Sequence, residues 1–228
     1  MRLLRKGPEP VALAAYRAVP GVRYDGGDFT PVKDAIRTAL LRDQEHLCCY
    51  CMRRISTEPA PGPGGASGPA QAQMKVEHWS PQSLDPASAL VWRNLLGACL
   101  GGVGVAPSDQ TCDTRKGDDP IRLDPLVSGH VTSLWCNTRG ELKSSDAQFQ
   151  ADLDKRLNLN HRVLVDARRA VLDRALAGLR AKYPTRSFPP HALRDAVAAW
   201  EGTTEGRAPA FCGTLRLWAR GRFRGAGW

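Results

Sequence analysis

Apolar residues recur at helical spacing early in the chain. Val32, Ile36 and Leu40 lie four apart behind Thr30-Pro31, which reads as an N-cap followed by a proline at the first helical position. This pattern predicts a helix at about 31–46 that delivers the chain to Cys48-Cys49-Tyr50-Cys51. Met74 to Trp79 predicts a short strand, and Trp92-Arg93-Asn94-Leu95-Leu96 a second ordered segment after a Pro/Ser/Asp loop. A glycine-rich loop leads from Cys99 to Cys112, with a short helix expected from near Asp113. Beyond about residue 145 the spacing turns helical. Phe149, Leu153 and Leu157 form one face, and Leu164, Arg168 and Leu172 a second that Ala175, Leu176 and Leu179 continue. Pro189-Pro190 opens a further helix carrying Leu193, Val197 and Trp200. Two stretches lack such patterning: residues 1–30 read as an irregular arm, and residues 59–73 as a low-complexity, flexible insertion. There is no internal repeat. The chain therefore reads as α+β, with an N-terminal arm (1–30), a cysteine-framed module (31–120) and a mainly helical C-terminal lobe (121–228).

A hydrophobic content of 42% over 228 residues supports an ordinary core. Lys and Arg total 32 against 23 acidic residues, a formal charge of +9, and that sign suits a polyanionic partner. The opening Met1 to Pro8 is basic but lacks the apolar run of a secretory signal. No stretch has the apolar length of a membrane span; Leu95 to Pro107 comes nearest and is broken by glycines. A cytoplasmic protein without a membrane partner is expected. In that compartment thiols stay reduced, so the seven cysteines raise the question of metal ligation rather than disulfides.

Cys48-x-x-Cys51 has the spacing that lets two thiolates meet one tetrahedral zinc. Cys99 and Cys112 offer a second pair beyond the 77–94 segment, the plain alternative being inert buried cysteines. Cys49 could replace a ligand, but the CxxC register favours Cys48; Cys136 and Cys212 sit in apolar contexts and read as small core residues. Four sulfurs leave no open coordination position, so such a zinc is structural.

Inside this frame lies Val76-Glu77-His78-Trp79. Asn94 follows His78 by 16 residues, and Asp113 comes directly after the last cysteine, in Cys112-Asp113-Thr114-Arg115-Lys116-Gly117-Asp118. An acid, a base, an amide and a second acid are thus bracketed by one cysteine clamp.

This order (CxxC, acid–His, Asn, Cys, then Cys-x-x-x-Lys-Gly) resembles the HNH, or ββα-metal, nucleases. More narrowly it resembles the nuclease subunit of Septu anti-phage systems and its relatives. Lys6-Gly7-Pro8-Glu9-Pro10, Leu157-Asn158-Leu159-Asn160 and the stretch from Phe211 to Trp218 also fit the narrower family. The resemblance implies a zinc-stabilised ββα-metal module with flanking helices. It makes His78 the base that deprotonates the attacking water, and Glu77 and Asp113 the ligands of one Mg²⁺ or Mn²⁺ ion. Asn94 becomes the loop brace that orients the base, and Lys116 and Arg115 the grip on phosphate. It also implies a DNA substrate, products with a 5′-phosphate and a 3′-hydroxyl, and an ATPase partner subunit in a hetero-oligomer. The chain has no GxxxxGK[ST] of its own, so ATP hydrolysis would come from that partner. Two features depart from the family pattern: twelve residues separate Cys99 from Cys112, and Asp113 stands where many members have His or Asn. Asp118 or a water could take the place of Asp113.

Two other readings remain open on sequence. One is a catalytically silent zinc module that binds nucleic acid or an ATPase; the other is an HNH nuclease of restriction or RNA-cleaving type. The helical half could grip DNA, dock a partner or serve as scaffold, its apolar stripes being most simply core. The terminal run Arg216, Arg220, Arg222 and Arg224, with Trp218, Phe223 and Trp228 interleaved, could meet nucleic acid or be a solvated tail.

Overall fold

The computed structural model describes residues 1–58, 73–184 and 188–223. The insertion expected at 59–73 lies outside them except for Gln73, as do Arg224 and Trp228.

Residues 1–30 hold more order than their composition predicts. Val11–Arg17 form helix α1, and Met1, Leu4, Leu13 and Phe29 are buried in the main core. These anchors are too widely spaced to show as a period, so the arm read as irregular. Lys6 fastens it to the module: its ammonium donates to the carbonyls of Trp92 and Leu95 and lies 3.3 Å from the Trp92 ring centroid. Burial pushes the Lys6 pKa down to about 7.

Helix α2 spans Thr30–Asp43 and buries Val32, Ile36, Ala39, Leu40 and Leu41, the face its spacing predicts. Its entry differs by one residue. Phe29, not Thr30, occupies the cap position and offers no side-chain cap; instead it packs at 5.2 Å from Tyr16 and 4.6 Å from Tyr24.

Strands β1 (Lys75–His78) and β2 (Leu95–Ala98) pair antiparallel, with His78 opposite Leu95 and Glu77 opposite Leu96. The buried Gln44, just past α2, ties this pair to the first cysteine turn. Its amide donates to the carbonyls of Leu47 and Gly97, and its oxygen accepts from the Gly97 N–H at 2.7 Å. A side chain at position 97 would press on Ile55 and Gln44 at 3.0 and 3.1 Å, which accounts for the glycine. Helix α3 (Cys112–Lys116) follows the glycine-rich loop.

The C-terminal part is mainly helical, but it contains a hairpin that was not anticipated. After α4 (Ser128–Thr132), strands β3 (Leu134–Cys136) and β4 (Leu142–Ser144) pair through a turn in which Asn137 Oδ1 accepts from the N–H groups of Arg139 and Glu141. Gly140 is required there: its φ is +90°, and a Cβ would lie 2.5 Å from the Val165 carbonyl. Strands of three residues are too short to leave a period-2 signature. Helix α5 (Ala147–Ala151) passes through one π turn into Leu157, and α6 (Arg162–Lys182), α7 (Pro190–Glu201) and α8 (Thr214–Arg222) complete the core.

Helix α6 buries the predicted stripe, including Arg168, which is fully enclosed. Its Nε donates to the Gly140 carbonyl and its Nη2 to that of Leu159, both at 2.6 Å. The two asparagines of Leu157-Asn158-Leu159-Asn160 are structural. Asn158 donates to the carbonyls of Ser108 and Gln110, while Asn160 accepts from the Leu142 N–H. Arg216 and Arg220 are half-buried rather than free in solvent: Arg216 pairs with Glu201 at 2.6 Å, and Arg220 donates to the Val131 carbonyl. Among the described residues, no helix is long and apolar enough to cross a membrane.

Candidate metal centre and catalytic cleft

Cys48, Cys51, Cys99 and Cys112 converge, all buried, with their sulfurs within 4.8 Å of one another. Among the described residues, this is where three or more His, Cys, Asp or Glu side chains bring donor atoms close enough to share one metal ion. The Cys51 and Cys99 sulfurs are 3.8 Å apart. Tetrahedral Zn–S bonds of about 2.3 Å imply sulfur separations of about 3.8 Å, so the four thiols could coordinate a zinc ion.

Local backbone explains the convergence. Met52 takes φ +65° and donates to the Cys48 carbonyl, and the Arg53 N–H points at the Cys51 sulfur at 3.4 Å, which closes a tight turn around the pair. Cys49 is not one of the four converging donors, and its N–H bonds to the Gly97 carbonyl, which joins the turn to β2. On the far side, a Cβ at Gly101 would collide with the Thr111 carbonyl at 2.1 Å, and the Cys112 N–H bonds to Leu157. The fourth sulfur is therefore held by the C-terminal half. Burial raises the Cys48 thiol pKa, but hydrogen bonds from Cys112, Cys49, Cys51 and Cys99 outweigh it and hold Cys48 well below its ordinary value. Those same contacts push Cys112 well up. Cys136 and Cys212 are buried core residues apart from this group.

Glu77 and His78 end β1 beside this cluster. Glu77 is almost fully enclosed, and its Oε1 accepts from the Tyr50 hydroxyl at 2.6 Å and the Lys116 ammonium at 2.8 Å. Burial first, then contact with the Asp113 carboxyl, raises the Glu77 pKa well above the ordinary range, with Lys116 opposing both. Two carboxyl groups in contact hold either a proton or a cation between them, and a pair of hard oxygen donors suits Mg²⁺ or Mn²⁺. Asp113 also pairs with Lys75 at 3.2 Å. Asp118, the alternative acid, is exposed beyond the end of α3.

His78 Nε2 lies 3.0 Å from the Ala89 carbonyl. A carbonyl only accepts, so Nε2 carries the proton, and Nδ1 is the acceptor of the neutral ring. Gln82 Nε2 approaches Nδ1 at 3.4 Å, and the Tyr24 ring packs edge-on to the imidazole at 4.4 Å. Burial lowers the His78 pKa, the Ala89 bond raises it and Lys116 lowers it; the net shift is downward, so the ring is neutral at pH 7. The imidazole lines a cleft of about 470 Å³, whose walls include Tyr24, Lys33, Arg37, Lys75 and Gln82.

Asn94 braces the loop that carries Ala89. Its Oδ1 accepts from the Ser80 N–H at 2.7 Å, and its Nδ2 donates to the carbonyls of Ser80 and Ser88. The structure therefore brings the carboxyls of Glu77 and Asp113 into contact and sets His78 at the end of the same strand, while Asn94 reaches the histidine only through the loop it braces. The two cations expected to grip phosphate are placed differently. Lys116 is 3% exposed and spends its donors on Glu77 and the His78 carbonyl, while Arg115 donates to the carbonyls of Lys155 and Pro107. Tyr50, Gln82 and Tyr24 were missed. Tyr50 had a signal, sitting between two ligand positions; Tyr24 and Gln82 had none, because they arrive through irregular loops.

No protein-family model matches this chain, and no curated protein does.

Proposed function

We propose that this chain is a metal-dependent nuclease of the HNH type, acting on DNA, with His78 as its base and a four-cysteine zinc as its scaffold. One observation carries the reading: the Ala89 carbonyl accepts from Nε2 of a buried histidine, which makes Nδ1 the ring's acceptor, and the next residue back along the strand, Glu77, has its carboxyl in contact with that of Asp113. A solvated histidine needs no such arrangement, whereas a base held in one tautomer does.

In this reading His78 Nδ1 removes a proton from a water. The water oxygen attacks phosphorus and the bond from phosphorus to the 3′ oxygen breaks, giving a 5′-phosphate and, once protonated, a 3′-hydroxyl. A divalent ion held by Glu77 and Asp113 would supply positive charge against the phosphate. Asn94 and Ala89 keep the imidazole oriented, and Tyr50 and Lys116 hold Glu77 in place. The role of this activity, as effector of a Septu-like anti-phage complex with an ATPase subunit, rests on the sequence resemblance and is tested by co-purification from co-expressing cells.

One observation favours a catalytically silent zinc module instead. Lys116 and Lys75 already sit on the two carboxylates, so the pair could be a neutralised structural cluster. Incubating the protein with end-labelled DNA and RNA in Mg²⁺, Mn²⁺ or EDTA separates the readings. Metal-dependent DNA products ending in 5′-phosphate are expected. Preferential RNA cutting would move the substrate, and no Mg²⁺ or Mn²⁺ binding by calorimetry would favour the silent module.

A further inference from the structure

With Lys116 turned inward and Arg115 bonded to backbone carbonyls, the phosphate needs other cations at the cleft. We infer that Lys33 and Arg37 of α2 bind the nucleic-acid backbone, so that this helix forms the substrate-gripping wall of the cleft containing His78.

The two residues are i and i+4, which places their side chains on one face about 5–6 Å apart at Cβ. The neighbouring apolar stripe of α2, with Ile36 and Leu40 fully buried, fixes the helix rotation and so keeps that face on the cleft. Their present partners are weak. Lys33 pairs with Asp25 at 2.8 Å and Arg37 with Asp34 at 3.2 Å, and both carboxylates are more than half exposed. Such exposed pairs contribute little and are screened by salt, whereas a phosphate accepts stronger, charge-assisted bonds. Arg37 also keeps a buried Nε with no hydrogen-bond partner, a donor left over by its contact with Asp34. The Lys33 ammonium lies 5.4 Å from the Tyr24 ring centroid, and that ring packs against His78, so the basic wall and the base are joined through one aromatic. A polyanion crossing this wall would bring a phosphate towards Nδ1.

The inference takes its ligand from the nuclease reading, so binding is measured apart from cleavage. Duplex DNA is titrated in the His78→Ala background, without divalent metal, across a salt series. Each lost phosphate contact removes about 0.9 from the slope of log K against log salt. Lys33→Gln/Arg37→Gln should therefore flatten the slope by about 1.8 and weaken affinity at least tenfold near ~0.1 M salt. Arg37→Lys should keep the slope, and Arg180→Gln on the exposed side of α6 serves as the charge control. Zinc content and circular dichroism check that each variant is folded. An unchanged slope and affinity in the double variant would overturn the inference even if the wild type cuts DNA. Binding that depends on Lys33 and Arg37, together with no cutting by the wild type in Mg²⁺ or Mn²⁺, would uphold the inference and count against the nuclease reading.

Discussion

Replacing Asn94 by alanine tests how the candidate site is built. The residue is 6% exposed and makes three side-chain hydrogen bonds: one from the Ser80 N–H at 2.7 Å, and two to the carbonyls of Ser80 and Ser88 at 3.0 and 3.1 Å. Each such bond contributes about 0.5–1.5 kcal/mol net, and the backbone groups left behind are only partly open to water. The three together put the loss for Asn94→Ala at about 2–4 kcal/mol. With a urea slope of roughly 2 kcal/mol per molar, the unfolding midpoint of zinc-saturated protein should fall by about 1–2 M. Asn94→Asp should do no better: it keeps the acceptor for Ser80 but sets a carboxylate oxygen against two carbonyls. Because the same loop carries Ala89, the hold on His78 loosens as well, and any cleavage should drop by about 10–100-fold, the usual size of an effect one shell out. Loss of under ~0.5 kcal/mol in both variants would refute the bracing role.

Lys116→Met should destabilise the fold by about 3–5 kcal/mol, since it strands a buried carboxylate, and adding Glu77→Gln should recover part of this in a denaturant series. Cys48→Ser should lower the zinc content, measured by atomic absorption, and cause misfolding; a stable variant with one zinc per chain would remove Cys48 from the clamp. Zinc withdrawal by a chelator should likewise abolish the cooperative unfolding transition seen by circular dichroism. Because burial lowers the His78 pKa, cleavage should rise with pH through a midpoint below the ordinary ~6.5 and level off near neutrality. Raising Mg²⁺ should leave that midpoint in place. A midpoint that falls as Mg²⁺ rises would assign the titration to Glu77, whose proton competes with the metal.

Much of this was legible in the sequence, and the gaps have physical causes. The stripe Val32, Ile36 and Leu40 announced α2, and the CxxC spacing announced the first half of the cysteine cluster, because both follow from local geometry. Partnerships across the fold left weaker traces. Arg168 fell within the predicted apolar stripe between Leu164 and Leu172, and a cation in that place is itself a sign of buried hydrogen bonding. Lys116 was expected to grip phosphate with Arg115, because nothing within Cys112–Lys116 shows that Glu77 waits opposite it. Lys6 and the hairpin at Leu134–Ser144 were hidden for a similar reason: their stabilising contacts lie far along the chain, on Trp92 and Leu95 in one case and on α8 in the other. Arg216 and Arg220 show the converse, since two arginines of a run that read most simply as a solvated tail are half-buried and held by Glu201 and the Val131 carbonyl.

The central claim is tested most directly by plasmid cleavage with purified wild type and His78→Ala in parallel, each with Mg²⁺, with Mn²⁺ and with EDTA, and each checked for zinc and fold. Metal-dependent cutting by the wild type and none by a folded, zinc-loaded His78→Ala is the expected result. Equal cutting by the two proteins would contradict the role of His78.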